Sequence, residues 1–191
     1  MKKTVLFILL SMFTSYLLQA QASFGVKAGV NLGSLTGEFP YGQKTRVSFN
    51  AGFVSEFPLS DSFSIQPELF YSDKGTQVIQ RDASTVEFQL SYVELPVLAK
   101  IYFAEGYSSF EIGPQFGYKL TEKVEGETPD ADFARDFDTS IVAGLSYKFD
   151  NGFFVTGRYI YGVPDQFIKN AFMGNPYARL STVQFSLGYM F

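Results

Sequence analysis

Cysteine and histidine are both absent from the 191-residue chain. Without cysteine, the protein can form neither disulfide bonds nor thiolate metal sites, and it cannot carry the lipid anchor of a lipoprotein. Without histidine, it cannot build a serine triad or an aspartate–histidine dyad, in which histidine is the usual base near neutral pH. The composition therefore predicts a protein that is not an enzyme and that needs no cofactor.

Beyond its N-terminus, the chain also has no apolar run long enough to cross a membrane as a helix. The N-terminus begins Met-Lys-Lys, continues with a mostly apolar run over residues 5–18, and ends in Ala-Gln-Ala at residues 20–22. These are the three regions of a secretory signal peptide. We therefore predict a cleaved signal peptide at residues 1–22 and an exported domain at residues 23–191. An uncleaved anchor would need a longer apolar run.

An excess of positive charge is missing as well. Lys and Arg number 15 against 19 Asp and Glu, and Lys2 and Lys3 would leave with the signal peptide. The chain therefore lacks the basic footprint of a nucleic-acid-binding protein. Its abundant residues are 22 Phe, 12 Tyr and 17 Gly. Aromatic residues favour strands and glycine disfavours helix interiors, so this composition indicates a β protein.

Apolar residues alternate with small or polar ones along eight segments of the chain. The first shows the pattern clearly, because Phe24, Val26 and Ala28 alternate with glycine and lysine. A period of two predicts a β-strand with one apolar face. The eight segments are residues 24–32, 47–57, 63–71, 86–101, 110–118, 141–149, 153–161 and 183–191.

The fourth segment departs from a single phase. Phe88, Leu90 and Tyr92 share one phase, whereas the apolar residues from Leu95 to Ile101 share the other, so we expect a β-bulge near residues 93–94. Prolines within three strands are a second irregularity, because a closed sheet uses nearly every backbone N–H. We expect Pro67, Pro96 and Pro114 to lie at bulges or near the rim.

The connections between segments are alternately short and long. Residues 58–62, 104–109 and 150–152 are short, whereas residues 33–45, 73–84, 121–136 and 163–179 are long. Outer-membrane barrels have short turns at one end and long loops at the other. Aromatic residues also cluster beside the short turns, as in a membrane-interface belt. The predicted members of this belt are Phe24, Phe57, Phe63, Tyr102, Phe103, Phe110, Phe149, Phe153, Tyr189 and Phe191.

Together these patterns predict an all-β protein, an eight-stranded antiparallel up-and-down transmembrane β-barrel in the outer membrane of a Gram-negative cell. Its apolar face would meet lipid, and its long loops would face outside. In a soluble sandwich of the same strands, charged side chains would lie outermost and the signal peptide would serve another destination. An OmpA- or OmpX-like monomer is the expected architecture.

In such a barrel the polar face of each strand points into the lumen. An interior this narrow is just wide enough for side chains to fill, and charges held there must be paired. We therefore predict a structural plug, with a proton or small-ion path as the alternative; the carboxylates show no spacing specific for a metal. The predicted lumen residues are Lys27, Glu56, Glu68, Glu94, Lys100, Glu111, Lys119, Lys148 and Arg158.

Two long loops have unusual compositions. Residues 121–136 are rich in Asp and Glu, which suits either a solvated loop or one that binds a divalent cation or a partner. Residues 163–179 carry Phe167, Phe172, Met173 and Tyr177. So apolar a segment either folds over the barrel mouth or meets a partner.

Three segments, SIQPELFYSDKG (64–75), YVELPVLAK (92–100) and GPQFGY (113–118), resemble the PorT-like outer-membrane β-barrel family of Bacteroidetes. The resemblance extends over essentially the whole exported domain and implies fold and membrane more firmly than activity. The family's namesake is an accessory of a protein secretion system.

We therefore expect a non-enzymatic barrel that serves envelope structure or surface interaction. A secretion accessory is the alternative, and a narrow pore or a ligand-binding barrel is less consistent with the sequence.

Overall fold

Eight antiparallel strands form one closed barrel in the computed structural model, which describes residues 22–36, 42–79, 85–124, 136–163 and 179–191. Each strand pairs with the next, and β1 pairs with β8 to close the sheet. The predicted fold class is confirmed. The predicted signal peptide lies outside the described residues except for Ala22. The strands are β1 (Ser23–Thr36), β2 (Gly42–Ser60), β3 (Phe63–Ile79), β4 (Thr85–Phe103), β5 (Ser108–Val124), β6 (Phe137–Lys148), β7 (Phe153–Gly162) and β8 (Arg179–Met190).

The strands alternate between an apolar outer surface and a largely polar interior. Phe49, Ile112 and Phe185 are each more than half exposed on the outside. Lys27 and Glu68, which point inward, are each 2% exposed. A soluble protein would bury the first group and expose the second. This inverted arrangement suits a surface that faces lipid.

Short turns lie at one end of the barrel, which we call the short-turn end; the opposite end is the long-loop end. Asp61 and Ser62 join β2 to β3, a 3-10 turn at Ala104–Gly106 joins β4 to β5, and residues 149–152 join β6 to β7. The predicted short connections are therefore confirmed. Residues 37–41, 80–84, 125–135 and 164–178, which hold most of the acidic loop and of the apolar loop, lie outside the described residues.

The strands at the long-loop end continue beyond their predicted ends. β3 runs to Ile79 instead of ending near Tyr71, and β2 begins at Gly42. Residues there, such as Lys44 and Thr45, are exposed and polar. The hydrogen-bonded ladder therefore continues where the alternation of apolar residues has already stopped.

The predicted change of phase in the fourth strand is wrong. Phe88, Leu90 and Tyr92 are at most 8% exposed and point into the lumen, as does Glu94. The phase of β4 is therefore continuous, and the part of β4 nearer the long-loop end fills the interior with apolar side chains. A register shift does occur at Ser91/Tyr92 in the pairing with β5. The extra residue belongs to β5, where Leu120 and Thr121 are both exposed.

The three strand prolines do not lie at bulges, so that expectation is also wrong. None coincides with a register shift, and all three lie well inside their strands. Each proline interrupts the pairing with one neighbouring strand and keeps its register with the other, because a proline removes a single ladder donor. The retained pairs are Pro67–Val97, Pro96–Gln115 and Pro114–Ile141.

Aromatic side chains surround the short-turn end on the outside. Phe24, Phe110 and Phe191 are more than half exposed, and Phe153 packs edge-on against Tyr189 with ring centroids 5.1 Å apart. Tyr102 differs from the prediction, because its hydroxyl donates a hydrogen bond to Glu56 inside the barrel. It therefore belongs to the interior and not to the outer belt.

Candidate functional site

The centre of the lumen holds four fully buried charged residues, which we call the central ion cluster: Lys27, Glu68, Glu111 and Arg158. The Arg158 guanidinium donates to both oxygens of Glu68, at 2.6 and 2.8 Å, and to Glu111 Oε2 at 2.7 Å. Lys27 Nζ lies 3.2 Å from Glu68 Oε2. These residues come from β1, β3, β5 and β7, so side chains from alternate strands around the barrel meet near its axis.

A second group lies nearer the short turns. Lys100 Nζ is 3.4 Å from Glu56 Oε2 and donates to Gln66 Oε1 at 3.0 Å. Ser64 donates to Glu56 at 3.0 Å. Lys100 also lies 3.8 Å from Glu111, which joins this group to the central ion cluster. Across both groups three cations face three carboxylates, so the charges balance.

A third group, at the long-loop end, contains residues that were not predicted. Lys74 pairs with Glu94 and lies 3.9 Å from Asp138, while Gln115 donates to Glu94 at 2.9 Å. Neither Lys74 nor Asp138 was expected in the lumen, because both lie outside the segments of apolar alternation. The signal that could have found them is the continued period of two beyond each segment.

A further ion group lies at the long-loop end, beyond the outer apolar surface, and consists of Arg46, Asp73 and Glu87. The neighbouring Lys44 and Lys123 are exposed. Arg46 lies 2.9 Å from Asp73 and 2.7 Å from Glu87. The hydrogen bond from the Arg46 guanidinium holds the pKa of the Glu87 carboxyl below its usual range.

Apolar side chains fill the remaining interior beside these ions. One cluster consists of Leu98, Val142 and Ile160, which are at most 2% exposed. A second cluster consists of Val54, Phe70, Phe154 and Met190. The Lys27 ammonium lies 4.5 Å from the centre of the Phe70 ring, so the two kinds of filling are in contact.

The structure places all nine predicted lumen residues on inward positions. Seven are buried and form ion pairs with one another or with Lys74. Lys119 is nearer the mouth and pairs with Glu122 at 2.6 Å and Asp136 at 3.4 Å. Lys148 is half-buried at the short-turn end and contributes a more distant charge to Glu56. The seven are Lys27, Glu56, Glu68, Glu94, Lys100, Glu111 and Arg158.

In the described part of the chain, no group of three or more Asp and Glu side chains has the geometry to hold a metal ion. Nor is any helix among the described residues long and apolar enough to cross a membrane. What the geometry provides is a series of ion pairs across the lumen, in which the central ion cluster and the group nearer the short turns together balance in charge.

Residues 19–167 match the model of the outer membrane protein β-barrel domain family. The chain belongs to this family. The barrel is therefore an outer-membrane barrel whose outer surface lies in lipid. The narrower resemblance to PorT-like proteins is not part of this match.

Solved structures of small outer-membrane barrels share the fold. The chain is similar to Neisserial surface protein A, with a TM-score of 0.58 and 13% identity over 89% of this chain and 99% of that one. It is also similar to Ail, the attachment invasion locus protein of Yersinia pestis, with a TM-score of 0.50 and 14% identity over 89% and 99%. OprG of Pseudomonas aeruginosa gives a TM-score of 0.51 and 9% identity over 90% and 97%. No curated protein sequence matches the chain.

Proposed function

We propose that this protein is a non-enzymatic, monomeric outer-membrane barrel with a plugged lumen that serves envelope structure or surface interaction. The observation that carries the proposal is the central ion cluster. Arg158 reaches from β7 to carboxylates on β3 and β5, and Lys27 reaches the same Glu68 from β1. These contacts occupy the middle of an interior that is only wide enough for side chains.

The protein reaches the outer membrane through a cleaved signal peptide at residues 1–22. Its short turns face the periplasm and its long loops face outside, as is usual for this architecture. The loops then form the interaction surface. Ail, a protein named for attachment and invasion, has the same fold and suggests this surface role by analogy.

Planar-bilayer recordings test the plugged lumen. The purified barrel is expected to give no stable openings, whereas a porin inserted in the same bilayer gives large ones. Stable openings of porin size from this chain would refute the plug. Solubility of the mature chain without detergent would refute the membrane assignment and favour a soluble ligand-binding barrel.

An accessory role in protein secretion is a second candidate. The three segments that resemble PorT-like proteins lie on β3, β4 and β5, which are adjacent strands. A shared surface of the barrel therefore carries the resemblance. Crosslinking in the native envelope should recover a secretion-system component if this role is correct, and recovery of none would count against it.

A further inference from the structure

A groove of about 570 Å³ opens on the outer surface where β1, β2 and β8 meet. Its floor is formed by Ala28 and Ala51, which are paired across β1 and β2. Its walls are larger side chains: Phe53, Phe153, Leu187 and Tyr189. The groove is shallow and open along the outer surface of the barrel.

The groove exists because two small residues are adjacent in one row of the sheet. The row nearer the short turns contains Phe53, Val26 and Tyr189 in register, and the row on the other side contains Phe49, Val30 and Phe185. Side chains of both rows stand out from the barrel, with Phe53 67% and Phe185 53% exposed. The alanine pair between them leaves a depression bounded at both ends.

The opposite side of the barrel provides a contrast. There the outward alanines Ala99 and Ala143 also share one row, but Ile112 lies between them. Tyr159 follows Ala143 on the next strand. Each of these alanines is therefore flanked by large side chains, and the row contains no pair of adjacent small residues.

We propose that the groove holds one acyl chain of a glycerophospholipid from the leaflet next to the short turns. The groove is continuous with the surface that lies in lipid, so it is in contact with the hydrocarbon of the membrane. Its walls are apolar, as a hydrocarbon chain requires. The leaflet follows from Phe153 and Tyr189, which lie beside the turn at residues 149–152. The inference rests on the proposed orientation, in which this leaflet is the periplasmic one and consists of phospholipid.

The absence of tryptophan from the chain makes a direct measurement possible. Phe53→Trp places a single reporter in the groove wall, and Leu145→Trp places one on β6, on the lipid-facing surface away from the groove. Brominated phosphatidylethanolamine is titrated into dodecyl maltoside micelles that contain either variant. We expect half-maximal quenching of the groove reporter at a mole fraction about tenfold lower, a preference equivalent to about 1.4 kcal/mol. Equal quenching curves would overturn the proposal.

A second test replaces the alanines of the groove floor by larger residues. Ala28→Leu/Ala51→Leu in the Phe53→Trp background should abolish the tenfold preference, whereas Ala99→Leu/Ala143→Leu should leave it unchanged. Both are checked for folding by heat-modifiable gel mobility. If the floor variant does not fold, the comparison of the two reporters still decides the question. A preference that survives in a folded floor variant would overturn the groove as the binding site.

Native mass spectrometry of the full chain purified from its own envelope identifies the occupant. A retained phospholipid supports the proposal, and retained lipopolysaccharide would overturn the choice of leaflet. Efficient disulfide formation between copies of Ala51→Cys in membranes would overturn it in favour of an interface between barrels. These outcomes do not depend on the plugged lumen, which the bilayer recordings test separately.

Discussion

Replacing Arg158 by methionine should destabilise the barrel strongly. The substitution keeps much of the side-chain volume but removes the charge that Glu68 and Glu111 share. Lys27 remains beside Glu68 at 3.2 Å, and Lys100 remains 3.8 Å from Glu111. The linked ion groups therefore change from balanced to one uncompensated buried carboxylate. Removing one partner of a buried ion pair typically costs about 3–5 kcal/mol, so we expect the free energy of unfolding to fall by about that amount.

A compensating variant separates the effect of the unpaired charge from the effect of lost packing. Arg158→Met/Glu111→Gln leaves two cations facing two carboxylates and should recover most of the loss. Arg46→Met is the matched control, because its partners Asp73 and Glu87 are 15% and 22% exposed at the side chain. Ion pairs with more exposed partners contribute less than fully buried ones, so this variant should lose less stability than Arg158→Met.

The measurement is equilibrium unfolding by urea in phospholipid vesicles, followed by far-UV circular dichroism and by heat-modifiable mobility. Coupling between the two substitutions is read from the double-mutant cycle. A loss below about 1 kcal/mol for Arg158→Met would contradict the estimate for a buried ion pair. A double variant as unstable as the single one would show that charge balance is not what stabilises the interior.

Three further predictions address other parts of the barrel. Since the pKa of Glu87 is lowered in the folded state, its pairing stabilises above the unfolded value of about 4.3 and is lost as pH falls through the folded value. Glu87→Gln should therefore cost about 0.2–1 kcal/mol at pH 7, and thermal unfolding should show no difference from the parent at acidic pH. Gly113→Ala should cost about 1–3 kcal/mol by urea unfolding, because the new methyl would lie 2.0 Å from a backbone oxygen of the next strand. Gly157→Ala, with its nearest neighbour at 3.5 Å, should be nearly neutral, and similar losses for both would contradict this account. In the cysteine-free chain, a lipid-soluble maleimide should label Leu95→Cys but not Leu90→Cys, and labelling of both would contradict the continuous phase of β4.

Most of the barrel could be predicted from the sequence because lipid and lumen impose opposite requirements on alternate residues. Where the outer face meets lipid and the inner face meets the lumen, as around Lys27 and Glu68, the alternation identifies each inward side chain. Beyond the lipid, at the long-loop end, the outer face can be polar as well, so the contrast between apolar and polar faces disappears. Lys74 and Asp138 were missed for this reason, although they lie on the same inward faces.

The error in the fourth strand has a related cause. The change of phase places Phe88, Leu90 and Tyr92 on the outside because they are apolar, but the lumen contains apolar side chains as well as charges. The hydrophobicity of a side chain alone cannot show whether it faces lipid or the lumen. The pairing partners of β4 do so, and they depend on contacts between distant parts of the chain.

The bond between Arg158 and Glu68 joins residues separated by 90 positions, and the partner bond to Glu111 spans 47. Neither can form within a single hairpin. A sheet that has not yet closed would hold these charges near hydrocarbon without their counterparts, at considerable cost. Pairing of these interior charges therefore favours complete closure of the barrel and disfavours half-formed barrels in the membrane. The same residues that fill the lumen thereby favour the complete barrel over partly formed sheets.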